Sequence, residues 1–146
     1  MKNEARRPLV SAFLLMSSTA CGALLEPSSG EALVVGTVAF YGDPVVIDLP
    51  DTVDASTPFT VSVRTYGGGC ERIGPTEITV AARSAVVVPY DYTRTGADVA
   101  CTAILNIFEH QVALRLDVPG QATVTIRGRE QPSSVVRDYP RQVWVR

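Results

Sequence analysis

From residue 33 onward, the chain is a series of short apolar runs separated by turn-forming residues. In several runs apolar and polar side chains alternate with a period of two, which is typical of a strand with one buried face. No stretch after residue 25 keeps a helical period. The pattern predicts eight or nine strands. The runs are 33–40, 45–49, 59–64, 78–82, 85–89, 99–108, 112–118, 122–126 and 143–145.

The absence of crossover helices favours an antiparallel sandwich or barrel. We expect an all-β fold, an antiparallel immunoglobulin-like β-sandwich of about eight strands, with a β-barrel as the alternative. The Cys–Trp–Cys core of immunoglobulins is missing, because the only tryptophan is Trp144. The run at 99–108 is apolar on both faces, which predicts a central strand covered twice. Pro119 and Gly120 predict a hairpin turn between 112–118 and 122–126.

The first 20 residues have the pattern of a secretory signal peptide. Lys2, Arg6 and Arg7 precede an apolar run at 9–16, and small residues follow at 17–20. That run is about eight residues long, whereas a membrane-spanning helix needs roughly 20. The sequence therefore predicts export and cleavage.

Ser18-Thr19-Ala20-Cys21 resembles the lipobox of bacterial lipoproteins. In that family the signal is cut before the cysteine, which is then acylated, so the resemblance implies lipidation of Cys21. Two or more acyl chains give stable anchoring. Ser18 departs from the family, which favours Leu there. Ordinary cleavage nearby, with Cys21 free or in a disulfide, is the alternative.

Three segments of the remaining chain are similar to uncharacterised bacterial lipoproteins. These are a TYGGGC turn at 65–70, a PYDY segment at 89–92, and a PG hairpin at 119–120 that ends in RGR at 127–129. The resemblance implies a fold and a location, but no activity. That location is the bacterial cell envelope, facing the periplasm or cell surface. By the sorting rules of the lipoprotein family, Gly22 implies the outer membrane.

The sequence divides into three parts. Residues 1–20 are the signal peptide, 21–31 hold the lipidated cysteine and a linker, and 32–146 form the β-sandwich domain. The linker contains Pro, Ser and Gly, and we expect it to hold the domain a little off the membrane.

The mature chain is acidic. Without Lys2, Arg6, Arg7 and Glu4, the 13 basic and 15 acidic residues become 10 and 14, a net charge of −4. No basic cluster is interleaved with aromatic residues, so nucleic-acid binding is not predicted.

The cysteine count is odd. With Cys21 lipidated, Cys70 and Cys101 remain as an even pair in an exported protein, where disulfides persist. The pair is 31 positions apart, so a disulfide would stabilise the fold by roughly 3–4 kcal/mol on the chain-entropy model. A zinc site is not predicted, because there is no CxxC and His110 is the only histidine.

Catalytic patterns are missing. A Ser-His-Asp arrangement needs a histidine base, and we expect His110 to lie in a solvated turn between two strands. Neither GxSxG nor GxxxxGK[ST] occurs. The prediction is a protein that is not an enzyme and has no cofactor.

Four residues form the predicted binding patch: Tyr66, Tyr90, Tyr92 and Arg94. Tyr90 and Tyr92 share one strand face before a polar loop, and Tyr and Arg often dominate interfaces. The partner would be an unknown protein or glycan. Packing of the rings at a sheet edge is the alternative.

We therefore expect a lipid-anchored envelope protein with a non-enzymatic binding or structural role. One alternative is an exported protease-inhibitor or hydrolase-type domain acting through the 91–98 loop, which Asp91 and Asp98 flank. Another is a calcium-dependent adhesion module with Asp48, Asp51 and Asp54 as oxygen ligands. A solvated acidic loop is the better interpretation of those three residues.

Overall fold

A computed structural model describes residues 30–146, and all regular structure in that range is β-strand. The all-β prediction is confirmed. The predicted signal peptide, Cys21 and most of the linker lie outside the described residues. Within 30–146 there is no helix with the length and apolar character needed to cross a membrane. The strands are β1 (Gly30–Val35), β2 (Thr37–Phe40), β3 (Ile47–Asp48), β4 (Thr52–Val53), β5 (Phe59–Gly67), β6 (Glu71–Ala81), β7 (Ser84–Thr95), β8 (Asn106–Leu114), β9 (Gly120–Gln131) and β10 (Val135–Val145).

The ten strands belong to one mixed, curled sheet. Its order is β1-β7-β9-β2-β5-β3, with β6 paired to β7, β8 to β5, and β10 to both β9 and β4. Six pairings are antiparallel, whereas β2–β9, β7–β9 and β4–β10 are parallel. The expectation of an antiparallel sheet is therefore wrong in part. A period of two locates strands, but it does not specify their partners.

Gly36 divides the predicted strand at 33–40 into β1, which pairs with β7, and β2, which pairs with β9 and β5. Its N–H donates to Pro89 O at 2.8 Å, and its carbonyl accepts from Arg129 N at 2.8 Å. A Cβ here would lie 2.6 Å from Thr65 Cγ2 and 2.9 Å from Asp91 Oδ2. Only glycine allows the chain to change partners in so tight a space.

The core is built from inward-facing aliphatic side chains on alternate positions of the strands. Along β7 and β9 every second residue is buried, as the period predicts. Full burial of one such side chain stabilises the fold by about 1.5–3 kcal/mol. The largest are Val38, Val61, Val63, Val87, Leu114, Leu116, Val124, Ile126, Val143 and Val145.

The run at 99–108 is not a central strand. Residues 99–105 form no strand, and β8 begins at Asn106 and pairs with β5, which leaves its other edge without a backbone partner in the described range. The run at 99–108 has apolar residues on both faces because several of them, Ile104, Leu105 and Ile107, are exposed on the surface.

The predicted hairpin around Pro119 and Gly120 is also wrong. β8 ends at Leu114 and pairs with β5, whereas β9 forms its hairpin with β10. β6 and β7 are joined by a tight reversal at Ala82 and Arg83, because they pair from Ala81 and Ser84 outward.

The predicted Cys70–Cys101 disulfide is present, with Cα atoms 5.1 Å apart. Cys70 follows β5, and Cys101 lies between β7 and β8, outside any strand although the run at 99–108 was predicted to form one. The bond therefore joins two loops. Gly69 packs directly against Thr102, so a small residue beside Cys70 permits the close approach.

Replacing Gly36 with Ala should destabilise the domain by about 1–3 kcal/mol, because the new methyl group overlaps Thr65 and Asp91. Urea unfolding followed by circular dichroism measures the loss. Gly68→Ala is the control, since its Cβ would lie 3.2 Å from the end of the Glu71 side chain and 3.9 Å from Ile104 O, an ordinary van der Waals contact. Equal midpoints for the two variants would contradict the steric explanation.

Replacing Cys70 and Cys101 with Ser should lower the free energy of unfolding by roughly 3–4 kcal/mol, because the unfolded chain regains the entropy of an open loop. Urea unfolding of the double variant, beside the parent with and without reducing agent, measures this. A reduced parent as stable as the oxidised one would show that the bond contributes nothing.

Candidate functional site

His110 lies within β8 and is 2% exposed, so the prediction of a solvated turn is wrong. Its neighbours Glu109 and Gln111 are exposed. Successive residues of a strand point to opposite faces, so polar residues on both sides of His110 do not make it a surface residue.

The imidazole of His110 contacts three polar side chains from three other strands. Nε2 lies 3.0 Å from Asp91 Oδ1 on β7 and 3.2 Å from Thr65 Oγ1 on β5, and Nδ1 lies 3.1 Å from Thr76 Oγ1 on β6. Both ring nitrogens are therefore satisfied, as buried polar groups require. We call these four residues the His110 cluster.

The His110 cluster resembles a hydroxyl–imidazole–carboxylate arrangement, with Thr76 on one ring nitrogen and Asp91 on the other. A catalytic base must come within hydrogen-bond reach of a substrate proton. His110 and Asp91 are each 2% exposed, so no substrate reaches them in this conformation. The geometry fits a structural polar network.

The segment predicted as a loop at 91–98 is strand up to Thr95, so the loop is shorter than predicted. β7 continues to Thr95, and Asp91 is buried in it. Asp98 is exposed in the segment that follows. The two carboxylates therefore do not flank a single exposed loop.

The predicted patch residues occupy two surfaces. Tyr90 and Tyr92 share one face of β7, as predicted, and Arg94 occupies the next position on that face. Tyr66 lies on β5, where its ring stacks on Phe40 with centroids 5.4 Å apart. The structure thus brings three of the four together.

The outer face of β7 is a network of charged and aromatic side chains. The Arg72 guanidinium lies 3.9 Å from the Tyr92 ring centroid and forms an ion pair with Glu31. The hydrogen bond between Arg72 and Glu31 raises the pKa of Arg72 and lowers that of Glu31. Burial, followed by the nearby Glu77 carboxylate, raises the pKa of Tyr90. Arg72 therefore covers one face of Tyr92, which fits the packing alternative for that ring.

A cleft of about 430 Å³ opens beside the disulfide. Tyr41 and Phe40 contact edge to face, with ring centroids 4.8 Å apart, and Tyr66 completes the aromatic wall. Ile104 and Leu105 also line the cleft. Sequence reasoning identified Tyr66 alone, because a strand at 99–108 would have buried the two aliphatic residues.

The three aspartates of the calcium alternative do not converge. Asp54 forms an ion pair with Arg146 at 2.7 Å, Asp48 ends β3, and Asp51 precedes β4. Within residues 30–146, no three side chains of His, Cys, Asp or Glu are grouped to hold a metal ion.

Comparison with known proteins adds no relative. No protein-family model, no curated protein and no solved structure matches the chain. The fold and sites therefore define a disulfide-bonded all-β domain.

Replacing His110 with Leu should cost about 3–5 kcal/mol, because Asp91 would remain buried without its partner. Chemical denaturation measures the change, and Gln111→Leu at the exposed neighbouring position should stay within about 0.5 kcal/mol of the parent. The double variant H110L/D91L should recover part of the loss, since neither polar group is then left unpaired. Equal stability of H110L and Q111L would show that the His110 cluster is dispensable.

Proposed function

We propose that this protein is an exported, lipid-anchored domain of the bacterial cell envelope, with a non-enzymatic binding or structural role. The observation that carries this proposal is the Cys70–Cys101 disulfide. Disulfides persist in exported proteins and are rare in the cytosol. The bond also leaves Cys21, at the end of the lipobox-like segment, as the one cysteine available for acylation.

The anchor follows from the N-terminal sequence. The basic segment, the apolar run at 9–16 and the small residues at 17–20 support export. The resemblance of 18–21 to a lipobox supports acylation of Cys21, and Gly22 supports the outer membrane, with the domain facing the periplasm or cell surface.

For the fold we propose a variant of the immunoglobulin-like sandwich. Strands at the corners of sandwiches switch between sheets through bends, and Gly36 is such a bend between β1 and β2. Aliphatic residues of β5 and β8 form a common core with those of β7 and β9, as the inner faces of a sandwich do.

The non-enzymatic role is supported by the burial of His110 and Asp91. The inhibitor and hydrolase alternatives lose support because Asp91 lies inside β7. The calcium-dependent alternative loses support because Asp54 is paired with Arg146.

The surface that we propose for a protein or glycan partner is the outer face of β7. Tyr90, Tyr92 and Arg94 lie there. Arg94 also lines a cleft of about 370 Å³, together with Glu31 and Asp98. Tyrosine and arginine are enriched among residues that dominate binding energy. Nucleic acid is a poor fit for a chain with a mature net charge of −4.

Protein extracted from bacterial membranes without reducing agent should have the mass of residues 21–146 plus acyl groups, less two hydrogens. Intact-mass spectrometry measures this. Cys21→Ser is the matched control, which should lose the acyl groups and keep the disulfide. A parent mass without acyl groups would exclude the anchor, and free thiols at Cys70 and Cys101 would remove the support for export.

A further inference from the structure

The first described strand begins at the end of the domain that carries the disulfide. Glu31, the second residue of β1, pairs with Arg94. Arg94 N donates to Cys70 O at 3.0 Å, and the Cα atom of Cys70 is 5.1 Å from that of Cys101. Ile104 follows three positions later. At about 5 Å per strand spacing and 3.5 Å per residue, the start of β1 lies within about 30 Å of Ile104.

Four large side chains are exposed at this end, and we call them the apolar rim. They are Tyr41, Ile104, Leu105 and Ile107, with exposed fractions of 66%, 54%, 53% and 57%. Ile107 pairs with Tyr66, whose ring stacks on Phe40, and Phe40 contacts Tyr41. Ile104 and Leu105 line the same cleft as Tyr41 and Tyr66, which joins them to the rim. A contiguous exposed apolar patch on a soluble domain marks a contact with a protein or a membrane.

The cleft behind the apolar rim carries little charge. Of the described residues that line the cleft behind it, Glu71 alone is charged, and its carboxylate accepts a hydrogen bond from Gly68 N. No Arg side chain lines this cleft. A surface that met the rim would therefore be held by apolar burial, not by attraction of basic residues to anionic groups.

The distance from the proposed anchor sets what the apolar rim can reach. Cys21 precedes Gly30 by nine residues, which span at most about 32 Å when fully extended. The bilayer that holds Cys21 is then within reach of the start of β1 and of the rim. A short tether raises the effective concentration of the rim at that surface, so even a small apolar contact is populated.

We propose that the apolar rim rests in the headgroup region of the bilayer that holds Cys21, so that the domain is docked on the membrane. This inference rests on the proposed function, because the anchor supplies the proximity. The Tyr41 ring suits the boundary between headgroups and acyl chains, since it is apolar with a polar hydroxyl. The three aliphatic side chains supply the buried area. Docking replaces the earlier expectation of a domain held off the membrane.

The test uses the full acylated protein, reconstituted into phosphatidylcholine vesicles with brominated acyl chains, which quench tryptophan. The reporter is I104W in a W144F background, and I107W in the same background is a second reporter. The control is the parent, whose only tryptophan is Trp144. Trp144 pairs with Gln121, ten positions along β9 from Gln131 at the cleft, or about 33 Å of strand.

We expect brominated lipid to quench the I104W and I107W reporters at least threefold more than Trp144, with a shift of reporter emission to the blue. Acylated protein whose reporters are quenched no more than Trp144 would overturn docking and leave the anchor standing. If acrylamide also failed to reach those reporters, the rim would be covered by protein instead. Protein that lacks acyl groups but is quenched at the rim would overturn the anchor and support the docking surface.

Discussion

The hydrogen bonds of His110 hold together two parts of the sheet that have no backbone ladder between them. β5 and β8 form one antiparallel pair, and β6 and β7 form another. Within the described residues no backbone pairing links β6 to β8, yet Thr76 and Asp91 meet the same imidazole at 3.1 and 3.0 Å. Side-chain hydrogen bonds therefore link these two pairs of strands, where backbone hydrogen bonds link strands elsewhere in the sheet. Because this contact is buried, its energy depends on every member having a partner.

The position of the His110 cluster also explains Gly36. A side chain at that residue would press on Thr65 and Asp91, two of the four members. The bend between β1 and β2 therefore has to pass close to the cluster without a Cβ. One polar network thus constrains a glycine that is far from His110 in the chain, and the same glycine decides where the first strand changes partners. The packing of the core, of the bend at Gly36 and of the His110 cluster therefore depends on each of the other two.

Much of the all-β architecture could be read from the sequence, because alternation along β5, β7 and β9 reports burial directly. The strand partners could not be predicted, because pairing depends on contacts between residues that are far apart in the chain. The burial of His110 could not be predicted either, because exposed polar residues flank it on both sides, a pattern that is also typical of a turn. The disulfide could be predicted because Cys70 and Cys101 are the two cysteines left once Cys21 is assigned to lipid. The shared strand face of Tyr90 and Tyr92 could be predicted from their spacing of two residues. The aromatic cleft could not be predicted, because the sequence does not distinguish apolar residues on the surface from apolar residues in the core.

The central place of β9 in the sheet has a consequence for the order in which the chain becomes structured. β9 joins strands that begin as early as Thr37 and end as late as Val145. β4, in turn, pairs with the last residues of β10. The ladder cannot be completed before residues 135–145 are available, because β10 pairs with both β9 and β4. Sheets made of such distant pairings form slowly. In any partly formed sheet that lacks β10, β4 would have no partner strand and β9 would lack one of its three partners.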